Sequence, residues 1–66
     1  MDEIDIWRAA EQMRKSHGED AAIFAAMRAD AALDEGDVRG FEIWKQIVRA
    51  IGELDRNTPR PGEALN

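Results

Sequence analysis

The sequence predicts an all-α fold, a three-helix up-down-up antiparallel bundle joined by short glycine-containing turns. Apolar residues recur at helical spacing through most of the chain. Alanine is abundant and β-branched residues are few and scattered, so strands have little support. No proline precedes Pro59, and Gly18 and Gly36 punctuate the three helical segments.

The first helix is predicted from about Glu3 to His17. Asp2 is placed to cap it, with Asp5 three residues on in a capping-box-like arrangement. Acids occupy its first turn and Arg14 and Lys15 its last, which matches the helix dipole. Residues about 100° apart put Ile6, Ala10, Met13 and His17 on one stripe, flanked by Trp7 and Ala9. Gly18 supplies the left-handed conformation that ends many helices.

The second helix starts at Glu19 or Asp20 and runs to about Glu35. Ala22, Ala25, Ala26, Ala29 and Leu33 form a small-residue face, with Ile23, Phe24, Met27 and Ala31 on the other side. A helix apolar nearly all round packs on more than one side. Two arrangements satisfy that: a central helix between both neighbours, or a face shared with a second copy of the chain.

The third helix runs from about Val38 to Leu54 or Arg56 and has the widest apolar face, from Phe41 to Leu54. That face either receives both other helices or leaves an apolar strip exposed. Glu11–Lys15 and Glu42–Lys45 are expected as surface ion pairs. Residues 1–56 form the domain, and 57–66, "NTPRPGEALN", read as a disordered tail.

Size and charge exclude several function classes. A chain of 66 residues is one domain with marginal stability, and it has no cysteine to staple it. Good helix packing or self-association must supply the rest. A net charge of −5 disfavours generic contact with nucleic acid or anionic membranes. The start, "MDEIDIW", is acidic where a secretion signal is basic, and the longest apolar run, "AAIFAAM", is far short of a membrane span. The expectation is a soluble cytoplasmic protein.

No constellation reads as catalytic, cofactor-binding or metal-ligating. "DEGDVRG", Asp34 to Gly40, fails as an EF-hand loop, because Ala32 stands at the third position counted from Asp30 and glycine comes too early counted from Asp34. As a turn it is coherent. Gly36 ends one helix, Asp37 caps the next, Val38 packs back on the core, and Gly40 permits close approach of another backbone. In the up-down-up arrangement Asp2, Glu3, Asp5, Asp34, Glu35 and Asp37 share one acidic pole. That pole is either a solvated end serving two N-caps or a weak site for a divalent cation.

His17, the only histidine, fits a packed or capping role at a turn, and Ser16 and Thr58 form no triad with it. A helix-turn-helix register on Ala32 and Gly36 puts Glu42 where core is required, which argues against DNA reading.

The segments "IWRAA" (Ile6 to Ala10), "HGEDAA" (His17 to Ala22), "AMRAD" (Ala26 to Asp30) and "EGDVRGFEIWKQIVRAIGEL" (Glu35 to Leu54) together resemble a family of short uncharacterised proteins from alphaproteobacteria. The resemblance implies a compact helical domain of unknown function and no assigned catalytic residues.

The functional expectation is a non-catalytic protein-interaction module, self-associating through surplus apolar surface on helices two and three or binding another protein. Trp7, Ile23, Phe24, Met27, Phe41, Trp44 and Val48 are the interface candidates. The alternatives are a small nucleic-acid-associated regulator and weak cation binding at the acidic pole.

Overall fold

A computed structural model describes residues 2–57. Its elements are α1 (Glu3–His17), a 3-10 turn (Gly18–Asp20), α2 (Ala21–Asp34) and α3 (Val38–Asn57). The fold is all-helical, with no strand among the described residues. α1, the 3-10 turn and α2 follow one another without a non-helical residue and form one helical path bent at Gly18. α3 lies against both arms of that path, most extensively against α2. Asn57, expected to begin the tail, is the last residue of α3, and the remainder of the expected tail lies outside the described residues.

α1 has the limits its sequence predicts, but the capping box does not close. Asp2 holds the N-cap position in extended backbone, and its carboxylate makes no cap hydrogen bond. Asp5 is one methylene shorter than the Glu or Gln that normally completes such a box.

At the bend Gly18 has the expected positive φ of 57°, yet its ψ of −126° lies far from the left-handed helical well. Only glycine adopts that combination readily. Its N–H still donates to the Arg14 carbonyl, and its own carbonyl accepts from Ala21, which closes a 3-10 turn. That turn displaces the α2 start from Glu19 or Asp20 to Ala21, and the Asp20 side chain makes no cap bond. The His17 ring stacks on Phe24 across the bend, with centroids 4.0 Å apart and planes at 21°. This contact ties the last residue of α1 to the first turn of α2.

The connection between α2 and α3 follows from local chemistry. Asp37 N–H donates to the Ala32 carbonyl at 2.8 Å and Gly36 N–H to Leu33 at 3.0 Å, the paired bonds of a Schellman end. Gly36 has φ 76°, as that end requires. Asp37 then caps α3, its Oδ1 accepting from the Gly40 N–H at 2.9 Å.

Val38 does not pack back on the core but is exposed, because the tight turn swings the first residue of α3 outward. Gly40 meets no foreign backbone either. A Cβ there would stand 2.8 Å from Asp37 Cγ, so this glycine makes room for the capping carboxylate.

The core joins Ile6 and Ala10 of α1, Ala21 and Ala25 of α2, and Ile47, Ala50 and Ile51 of α3. Ala29 and Ala32 are also buried and extend the alanine row down α2. Alanines at this spacing let the α2 backbone approach closely, so bulky α3 side chains fill the space that small ones leave. Ala26 and Leu33, assigned to the small-residue face of α2, are exposed. The inward row is Ala21, Ala25, Ala29 and Ala32, which rotates Leu33 out toward the turn.

Polar contacts are superficial. Arg14 Nε donates to Asp55 Oδ1 at 3.0 Å and links the ends of α1 and α3, and Arg56 pairs with Glu53. The expected Glu11–Lys15 and Glu42–Lys45 pairs are not closed. Lys45 Nζ lies over the Phe41 ring instead, 5.1 Å from its centroid.

Two glycines of α3 give a paired prediction. A Cβ at Gly52 meets nothing within 4 Å, so Gly52→Ala is expected to stabilise by about 0.5–1 kcal/mol. Gly40→Ala offers the same propensity gain but displaces the Asp37 cap, worth about 0.5–2 kcal/mol, so no net gain is expected. Thermal melts followed by circular dichroism check both. Equal stabilisation by the two alanines would show that the cap carries no weight.

Candidate functional site

Turning the alanine row inward forces the large side chains of α2 outward. Ile23 is 60% exposed, Met27 59% and Phe24 41%, values far above those of core residues. At about 100° per residue, Ile23, Met27 and Ala31 form one outward stripe with Phe24 at its edge. Asp20 and Asp34 lie beyond its two ends, Asp30 borders one side, and Arg28 and Glu35 border the other. All five of these charged residues are exposed. The stripe is therefore apolar along its length, acidic at both ends, and carries one base at its margin.

The remaining interface candidates have other roles. Trp44 and Val48 are half-buried and pack against the core, and Phe41 is half-buried beneath Lys45. The α3 face receives both arms of the helical path, and Trp44 and Val48 contribute to that packing. Trp7 is 37% exposed and stands at the rim of a groove between α1 and α3. That groove, of about 350 Å³, is also lined by Glu3, Ile6, Glu42, Lys45 and Arg49. Its mixed charges and open shape single out no ligand. Ile4, Leu33 and Val38 are exposed apolar residues outside the candidate set. Their exposure depends on how the helices are rotated, and helical periodicity alone does not reveal it.

Asp2, Glu3, Asp5, Asp34, Glu35 and Asp37 are all exposed. Asp37 is engaged by Gly40 N–H, while Glu3 lines the groove with Lys45. Among the described residues no three His, Asp or Glu side chains are grouped to hold a metal ion. His17 is committed to its stack on Phe24, and no polar or charged residue is buried among the described residues. No helix of the described residues is long and apolar enough to cross a membrane.

Compared with protein-family models, curated proteins and solved structures, the chain matches none.

Proposed function

We propose that this chain is a non-catalytic protein-interaction module, an up-down-up three-helix bundle that docks through the outer face of α2. Its likeness to short alphaproteobacterial helical proteins belongs to the same reading and contributes a fold only. The Arg14–Asp55 pair and the shared lining of the α1–α3 groove support parallel courses for α1 and α3, with α2 running back alongside both.

The observation that carries the functional reading is the exposed stripe of Ile23, Met27 and Phe24 on a helix whose opposite side is already packed. Leaving such side chains in water forgoes about 1.5–3 kcal/mol each relative to burial, a gain that docking recovers. Met is also suited to irregular partner surfaces.

A photo-crosslinking residue at position 27 is expected to give a discrete adduct in the producing cell, and one at Glu42, on the exposed side of α3, is not. Equal labelling from both positions, or none from position 27, would refute the docking face.

A further inference from the structure

We propose that the outer face of α2 seats a basic amphipathic helix of another protein, an apolar stripe flanked by Lys and Arg. This rests on the reading of that face as a docking surface and names its partner.

Charge complementarity decides between occupants. Exposed Asp20, Asp30, Asp34 and Glu35 surround the stripe, against Arg28 alone. A second copy fits poorly in either symmetric geometry. An antiparallel crossing centred on Met27 sets Asp20 of one copy against Asp34 of the other, twice, since both lie seven residues from Met27. A parallel crossing sets each acid against itself. Like charges across a helix pair repel, and such juxtaposition suppresses wrong partners. A basic amphipathic helix meets every rim acid with an opposite charge while its apolar side covers Ile23, Phe24 and Met27. Phe24 is partly held in place by its stack on His17, which lowers the entropy lost on docking.

The test uses the full chain and a synthetic helical peptide of about four turns, Leu along one face and Lys elsewhere, against the same peptide with Glu for Lys. Isothermal titration is expected to show binding of the Lys peptide only, weakening as salt rises. The double variant Asp30→Lys, Asp34→Lys is expected to bind it at least about tenfold more weakly. Met27→Asp is the decisive variant. It adds an acid, so charge attraction alone would strengthen binding, whereas a seated apolar face loses it. Circular dichroism confirms that each variant is folded.

Equal binding of both peptides, abolished by Met27→Asp, would overturn the basic partner and leave the docking face standing. Unchanged or tighter binding by Met27→Asp would overturn both. A dimer of the unaltered chain in sedimentation, dissolved by Met27→Asp, would assign the face to a second copy. Failure of the Lys peptide to bind would overturn the proposal.

Discussion

Ile51→Ala is expected to remove most of the stability of the fold. Among the described residues Ile51 is the largest side chain that is fully enclosed, at 0% exposure, and it shares one core cluster with α1 and α2 residues. Truncating a buried Ile to Ala costs about 2–5 kcal/mol, the lost transfer energy plus the cavity left behind. A domain of this length has a total of roughly 3–8 kcal/mol. The variant should therefore melt with a broad, early transition or be largely unfolded at room temperature. Circular dichroism melts and urea titration measure it, with Ile23→Ala as the comparison. Ile23 is exposed, so its truncation should fall within about 0.5 kcal/mol of the parent. Similar losses at both positions would show that the core lies elsewhere.

Ala25→Leu is the second large effect, and its sign runs against helix propensity and hydrophobicity. Leu is nearly as good a helix former as Ala and adds apolar area, so sequence rules alone foresee little change. Ala25 is fully buried, in the middle of the row that lets α2 approach α3. Extra methylenes there force the helices apart or push neighbours off their rotamers, costing about 1–3 kcal/mol. At about 4–8 °C per kcal/mol for a domain this small, the melting temperature should drop by several degrees or more. A melting temperature equal to or above the parent's would mean that α2 presents a different face inward.

These two positions mark the limit of what periodicity reveals. Gly36, Asp37 and the amphipathic stripe of α1 were legible because caps and turns are made within a few residues of chain, where sequence neighbours are also spatial neighbours. α1 needs only one polar side and one apolar side for its orientation to follow, and Ile6 and Ala10 are buried as that pattern requires. α2 lacks such a contrast. Both of its sides are apolar, so hydrophobicity cannot say which one turns inward. The candidate site inherits that ambiguity: Ile23, Phe24 and Met27 were identifiable as interface candidates, but which side of α2 turns inward was not. Trp44 and Val48 carry the same kind of side chain and are half-buried against the core.

The sequence by itself determined an all-helical domain, the span of α1, the start of α3, and the Gly36–Asp37 connection, because each depends on backbone propensity and capping within one or two turns. The tertiary structure alone decided that the alanine side of α2 faces in, that Gly40 yields to the Asp37 carboxylate, and that His17 stacks on Phe24. Those outcomes depend on the shape of a packing partner. Against the bulky Ile47 and Ile51, a row of alanines permits closer contact than a row of Ile, Phe and Met, and the large side chains of α2 are left at the surface.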